Sequence, residues 1–378
     1  MTAIGIDYTA AYEQGAGIGR YVRELVRALA AQDSSTPYRL FVAGAGRRQL
    51  PPVPGPNFCW RSTRITPLWF ARLWHRLQLP LPVEVFTGRV RLFHATDFTL
   101  PPTLPGTRTL LTVHDLSFVR APETTTPVLK AYLDVVVPRS VRRATHVLAD
   151  SQATKDDLIA LYGTPAEKIT VLVGGVQPEF RPVSDPAARA AARQRYGIPA
   201  NPYVFSVGTV QPRKNYARLI AALAALGSAY EDVHLVIAGG RGWLEGPIYQ
   251  AVRDHGLQGR VHFIGFARDE DLPALYSDAV CLAYPSLYEG IGLPVLEAMA
   301  CGTPVLTSAI SSLPEVAGDA AILVDPYDIE AIVDGLRRLL DDATLRTELT
   351  ARGFRQAAKF TWEGAATQLL AIYRQMLQ

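Results

Sequence analysis

Two short segments combine residue types suited to holding a diphosphate and a sugar. The first reads Val207-Gly208-Thr209-Val210-Gln211-Pro212-Arg213-Lys214-Asn215. An apolar strand pattern ends at Val207, a glycine turn follows, and two adjacent cations precede a helical pattern. A helix N-terminus offers free N–H groups and positive potential, and so favours phosphate. The Arg213 guanidinium is a planar fork and the Lys214 ammonium a compact charge, both suited to diphosphate oxygens. The second segment reads Ser286-Leu287-Tyr288-Glu289-Gly290-Ile291-Gly292-Leu293-Pro294-Val295-Leu296-Glu297. Its glycines let the backbone approach a ligand closely. A helix can begin at Leu293-Pro294, which leaves Glu289 in the loop and Glu297 about one turn inside the helix. The two carboxylates could then accept hydrogen bonds from the hydroxyls of two different sugars. Taken alone, the spacing equally suits a dipole-favoured glutamate beside an ordinary surface one.

The N-terminal half repeats the pattern of chemistry at strand ends. Gly15-Ala16-Gly17-Ile18-Gly19-Arg20-Tyr21 follows the first strand pattern and opens a helix. Its spacing is GxGxG, not the dinucleotide GxGxxG, and it carries no Walker A lysine. Thr112-Val113-His114-Asp115-Leu116 ends another strand pattern, and so does Phe93-His94-Ala95-Thr96-Asp97-Phe98. His94 and Asp97 either line an acceptor side or play a structural role. Asp269-Glu270-Asp271 has the DxD pattern of metal-dependent transferases, but it runs into Leu272-Pro273-Ala274-Leu275-Tyr276 and reads better as an acidic helix start. No metal site and no cofactor are expected. The three cysteines (Cys59, Cys281, Cys301) are widely spaced and form no CxxC pair, so neither a disulfide framework nor a zinc site is indicated.

The elements that must position these residues alternate between strand and helix. Predicted strands are Ala3–Asp7, Arg39–Ala43, Leu92–His94, Thr109–Val113, His146–Ala149 and Ile169–Val173. A second series follows: Tyr203–Val207, His234–Ala238, Val261–Ile264, Ala279–Ala283, Pro304–Leu306 and Ala321–Val324. Helical patterns such as Gly19–Ala31 and Thr126–Val141 lie between them. The reading is an α/β chain of two doubly wound parallel sheets. Ligands of such sheets sit at the carboxyl ends of the strands, so two sheets facing across a cleft are expected. The proline-rich stretch before residue 203 suits a connector. The expected domains are 1–178, a connector 179–202, 203–358, and a final helix 359–378 crossing back to the first.

With several motifs in register, the chain resembles the retaining glycosyltransferases of family 4, which have the GT-B fold of two facing Rossmann-like domains. The match rests on Arg213/Lys214, on the Glu-x7-Glu pair Glu289/Glu297, and on the surrounding Tyr288–Val305 stretch. Leu313-Pro314-Glu315-Val316-Ala317-Gly318, Val324-Asp325-Pro326 and Phe360-Thr361-Trp362-Glu363 continue it. It runs nearly end to end and is strongest from 203 to 375. The resemblance implies that the C-terminal domain binds a sugar nucleotide through Gly208, Arg213, Lys214, Phe266, Glu289, Ile291, Gly292, Leu293 and Glu297. Glu297 would hold the ribose, and Glu289 with the 291–293 backbone would orient the donor sugar. Gly17, Ile18 and Gly19 would face the donor from the first domain, and His114 would lie near the transferred sugar. His114, Arg213, Lys214 and Glu289 are thus the expected catalytic set. Gly175-Val176 departs from the Asn-Gly-Val often found at this connector.

The Gly-Ile-Gly-Arg-Tyr loop and His114-Asp115-Leu116 resemble mannosyltransferase-type members, so GDP-mannose is the expected donor and a glycan or lipid-linked molecule the acceptor. A UDP-sugar donor, a non-hydrolysing epimerase of the same fold and a two-lobed sugar-nucleotide binding protein are the alternatives.

Composition agrees with a folded, two-domain protein. The chain has 378 residues, 48% apolar and 19% charged, which excludes a largely disordered chain. A net charge of +3 argues against a nucleic-acid binder. Residues 1–180 nevertheless carry 20 Lys and Arg against 14 Asp and Glu, while residues 181–378 carry 18 against 21. No acid falls between Asp33 and Glu84, where Arg39, Arg47, Arg48, Arg61, Arg64, Arg72 and Arg76 and three of the five tryptophans (Trp60, Trp69, Trp74) lie. Residues 67–78 could form an amphipathic helix meeting an anionic membrane; the alternative is a domain helix with its aromatic face in the core. No signal peptide or membrane span is read, and a cytoplasmic protein, peripheral at most, is expected.

Overall fold

In the computed structural model, residues 3–15, 17–46 and 50–378 are described. Met1, Thr2, Ala16, Arg47, Arg48 and Gln49 lie outside them. These include the start of the segment read for a signal, one residue of the Gly15–Tyr21 loop and two arginines of the basic window.

The chain forms two compact units, Met1–Leu116 with Ala131–Gly175 and Thr361–Gln378, and Ser117–Lys130 with Val176–Phe360. The strands of unit 1 are β1 (Ile4–Asp7), β2 (Tyr38–Val42), β3 (Phe58–Ser62), β4 (Leu92–Ala95), β5 (Arg108–Val113), β6 (His146–Ala149) and β7 (Ile169–Val171). They pair in the order β3-β2-β1-β4-β5-β6-β7, all parallel. Unit 2 holds β8 (Tyr203–Val207), β9 (His234–Ala238), β10 (Val261–Gly265), β11 (Cys281–Tyr284), β12 (Val305–Ser308) and β13 (Ala321–Val324). Their order is β10-β9-β8-β11-β12-β13, again all parallel. Parallel strands are buried on both faces, which is why most read as unbroken apolar runs. Each sheet winds outward from its first strand in both directions. The strand order therefore reverses between β1 and β4, and between β8 and β11, and the loops leaving those strands diverge around a crevice.

β3 is an addition to the predicted set. It is an edge strand paired only with β2, and its Phe-Cys-Trp-Arg-Ser sequence loses its burial towards Ser62, so no sustained pattern marks it. The predicted helix over 67–78 is also different in kind. An α-helical turn, Pro67–Phe70, widens into a π-helix, Ala71–Arg76, where the Leu77 N–H reaches back to the Arg72 carbonyl. Phe70 and Trp74 are buried and stack at 4.0 Å, while Trp69 points to solvent. The tryptophans therefore do not share one face.

The last helix, Trp362–Leu377, belongs to unit 1. Trp362, Leu369 and Tyr373 join Leu25, Leu29, Tyr38, Leu92 and Leu148 in one core. Thr361 caps the helix by accepting from the Gly364 N–H at 3.1 Å, an arrangement worth about 1 kcal/mol. Gly175 lets the helix start pass, because a Cβ there would sit 2.3 Å from the Trp362 nitrogen. The stretch expected as a connector enters unit 2 directly. Its helix Pro186–Arg195 packs through Arg193 on Asp278 (3.2 Å) and through Arg195 on Asp271. Ser117–Lys130, inside the expected first domain, is likewise part of unit 2, where the Thr124 carbonyl accepts from the Trp243 indole at 2.8 Å.

Candidate functional site

The crevice of unit 2 collects the residues picked out from the sequence. After β8, Gly208 adopts φ +145°, and a Cβ there would lie 2.9 Å from Lys214 Cε. Glycine is thus required for the lysine stem to cross the turn. Arg213 and Lys214 lie in a short 3-10 turn, Pro212–Lys214, and Asn215 at φ +60° starts the helix Tyr216–Ala225. The Asn215 amide donates to the Pro285 and Pro326 carbonyls (3.0 and 2.7 Å). It thereby ties the loop after β8 to those after β11 and β13.

The neighbouring strand β11 delivers Glu289 to the same place. Its Oε2 accepts from Arg213 Nη1 at 2.8 Å, and its Oε1 from Lys214 Nζ at 2.6 Å and the Tyr284 hydroxyl at 3.0 Å. Arg213 also donates to the Tyr288 carbonyl at 2.8 Å. Glu289 is 6% exposed. Burial alone would raise its pKa, but the Arg213 and Lys214 charges outweigh burial and hold it at about 2. Two cations and one fixed carboxylate leave a net positive cluster at the switch point. Such a preorganised site stabilises negative charge far better than water-exposed cations do.

Glu297 sits inside the helix Leu293–Ala300, which starts after Gly292 at φ +83°. It is buried and accepts from the Tyr276 hydroxyl at 2.9 Å. Ile291 and Gly292 are buried in the intervening loop, with Leu293 half-buried at the helix start. Phe266 stands apart: it follows the edge strand β10 and is 56% exposed. The sequence reading passed over Tyr284, Tyr276 and Asn215. Each had a legible signal, a polar residue at or just beyond an apolar element.

Unit 1 gathers its candidates at the carboxyl ends of its own strands. Gly17, at φ +58°, precedes the helix Ile18–Gln32, and a Cβ at Gly19 would lie 2.2 Å from the Gln14 carbonyl oxygen. The loop is held by Arg23, which donates to the carbonyls of Ala11, Gln14 and Gly15. His114 is buried, with Nδ1 on Asp150 Oδ2 at 2.7 Å and Nε2 on the Thr96 carbonyl at 2.8 Å. Burial would lower its pKa, yet Asp150 raises it to about 9. His114 is therefore an imidazolium whose two N–H groups both have protein acceptors, and a sugar contact through either nitrogen requires one bond to open. The Tyr21 and Phe98 rings flank it edge-on at 5.3 and 5.5 Å.

His94 departs from the acceptor-side expectation. It is enclosed in the core, with Nδ1 on the Tyr373 hydroxyl and Nε2 on Thr112 Oγ1, both at 2.8 Å. Burial keeps it neutral, with a pKa lowered to about 3. It joins the final helix to the sheet and offers nothing to a ligand. Asp97 is half-buried near His114, and burial raises its pKa. Asp7, at the end of β1, was not singled out from the sequence, although its carboxyl is pushed up to about 6, first by burial.

The DxD stretch is a helix start. Asp271 is buried and accepts from Arg195, Tyr196 and Arg268. Among the described residues no three His, Cys, Asp or Glu side chains are placed to hold a metal ion. No helix among them is long and apolar enough to cross a membrane. In the basic window, Glu84 is buried on the Leu104 N–H and Thr107. Leu68, Trp69 and Leu77 are 61%, 53% and 63% exposed, and the Arg72 guanidinium lies 5.0 Å over the Trp69 ring.

Residues 15–180 match the family described as Glycosyltransferase Family 4, and residues 188–356 that described as Glycosyl transferases group 1. The chain is 33% identical over 372 residues to O-antigen chain mannosyltransferase B of Escherichia coli, covering 95% of this chain and 96% of that one. It is 30% identical over 289 residues to O-antigen chain mannosyltransferase RfbU of Salmonella typhimurium, covering 76% and 75%. In fold it is similar to sucrose-phosphate synthase from Thermosynechococcus elongatus, with a TM-score of 0.79 at 23% identity, over 100% of this chain and 99% of that one. Two Rossmann-like sheets of this order, a cationic cluster at the second switch point and these relatives lead to one conclusion: the chain belongs to glycosyltransferase family 4 and has the GT-B fold.

Proposed function

We propose that this glycosyltransferase moves mannose from GDP-mannose to a lipid-linked glycan with retention of anomeric configuration, and without a metal ion. The observation that carries the proposal is the Arg213–Lys214–Glu289 cluster. The two cations neutralise charge growing on the leaving diphosphate, a role that a divalent metal plays in other transferases. Glu289 orients the donor sugar and Glu297 the ribose. A double displacement would need a carboxylate nucleophile. Glu289 is a poor one, since its two cationic partners hold its electron density and its pKa at about 2. Same-face attack, with the leaving phosphate accepting the acceptor proton, is therefore preferred. The donor sugar follows the likeness to the two O-antigen chain mannosyltransferases. The acceptor is assigned to unit 1, where Asp97 and the exposed Leu68–Leu77 surface lie.

The test is a thermal-shift screen of GDP, UDP and ADP with their sugars, followed by nucleotide release. Stabilisation grows with ligand concentration over dissociation constant, so the guanine series should stand out and GDP-mannose should be turned over. A shift only with uridine nucleotides would overturn the donor, and no response to any sugar nucleotide would overturn the reading. A new sugar isomer would mark an epimerase, and tight binding without turnover a binding protein.

A further inference from the structure

We propose that Tyr276 and Tyr284 are positioning residues for the two carboxylates, Tyr284 setting Glu289 together with Lys214 and Tyr276 setting Glu297. The inference rests on the donor-binding reading above. Tyr284 ends β11 and is buried. Glu289 is ionised and can only accept, so the Tyr284 hydroxyl donates to Oε1. The tyrosine oxygen then accepts from Lys214 Nζ, whose ammonium also lies 4.8 Å from the ring centroid. Lys214, Tyr284 and Glu289 close a triangle of three hydrogen bonds, each with a defined donor. The lysine has a flexible four-carbon stem, and this triangle holds its charge at one point.

Tyr276 does the corresponding work one helix away. It lies in Leu272–Asp278, fully buried, and its ring packs edge-on against Phe205 at 5.2 Å. Its hydroxyl donates to Glu297 Oε2 at 2.9 Å, and its own carbonyl accepts from Thr303 Oγ1 at 2.7 Å. Tyr276 and Tyr284 are separated by the same number of positions as Glu289 and Glu297. One tyrosine thus serves the carboxylate assigned to the sugar, and the other the carboxylate assigned to the ribose.

The experiment is a pair of double-mutant cycles on the full chain, with GDP-mannose turnover and GDP calorimetry as readouts. Calorimetric stoichiometry reports the folded fraction, so rates are expressed per folded site. Tyr284→Phe should lower kcat about tenfold, the value of a hydrogen bond to a charged group, with KM for the donor little changed. Tyr276→Phe should instead raise the GDP dissociation constant about tenfold at nearly normal kcat. In a Glu289→Ala background Tyr284→Phe should add almost nothing, and in a Glu297→Ala background so should Tyr276→Phe. Losses that multiply in those backgrounds, or single variants indistinguishable from wild type, would overturn the tyrosine assignment while leaving the transferase reading intact. A wild-type chain that neither binds GDP nor turns over GDP-mannose would overturn the donor reading instead.

Discussion

His114 donates through Nδ1 to Asp150 Oδ2 at 2.7 Å, with side-chain exposures of only 6% and 4%. The pair is an internal ion pair of unit 1, and its charge state is linked to stability. The folded pKa of His114 is raised to about 9. Its contribution is complete below the unfolded imidazole value of ~6.5 and is lost as pH rises through about 9. Chemical denaturation of the wild type should therefore show falling stability across that window. Asp150→Asn should cost about 3 kcal/mol at neutral pH, because the ion pair is lost and buried His114 must give up its proton. It should also flatten the alkaline decline. An equally steep decline in Asp150→Asn would show that the pair is not its source.

Lys214→Ala should reduce turnover by ~10²–10³, as expected when a preorganised charge at the departing group is removed. Acceptor affinity should change little, since Lys214 belongs to unit 2 and to the cluster proposed to hold the diphosphate. Steady-state kinetics with both substrates varied checks this. Near-normal turnover would remove Lys214 from the mechanism.

Chelation separates a cation cluster from a metal site. If Arg213 and Lys214 supply the charge neutralisation, EDTA treatment should leave turnover unchanged, and added magnesium or manganese should not raise it. Loss of activity on chelation, restored by one divalent ion, contradicts the metal-independent reading.

The basic window makes a separate prediction about lipid. Its exposed surface combines Leu68, Trp69 and Leu77 with Arg72 and Arg76, and its one acid in 34–96, Glu84, is buried. Vesicles containing an anionic lipid should co-sediment the protein, and neutral vesicles should not. Arg72→Glu with Arg76→Glu should abolish that binding without altering GDP affinity. Binding indifferent to lipid charge, or unaffected by the two substitutions, counts against a membrane role.

Much of the fold was legible because parallel strands buried on both faces leave unbroken apolar runs, with glycine turns and caps between them. Among the described residues, twelve of the thirteen strands follow from such runs, with end shifts of at most two residues. β3 escaped because its apolar residues stop at Trp60, and Arg61 and Ser62 face solvent, so no sustained run marks it. The widening into a π-helix at Ala71 escaped because the i, i+4 spacing of the buried pair Phe70 and Trp74 is also that of one α-helical face, so the pattern does not tell the two helices apart. His94 was misplaced for a related reason: its partner Tyr373 comes from the opposite end of the chain.

By itself the sequence determined the residue types at each strand end, and hence the chemistry on offer: cations after β8, carboxylates after β11, and a histidine after β5. The tertiary structure alone decided which of them meet. Arg213 and Glu289 are 76 residues apart in the chain and 2.8 Å apart in space. The reason is that β8 pairs with β11, a non-local choice made by burial of both sheet faces. The same geometry turns His114 into a charge clamped by Asp150, and His94 into a neutral core residue. Local sequence names a side chain, but its pKa and partners are set by the dielectric and the neighbours that folding brings to it.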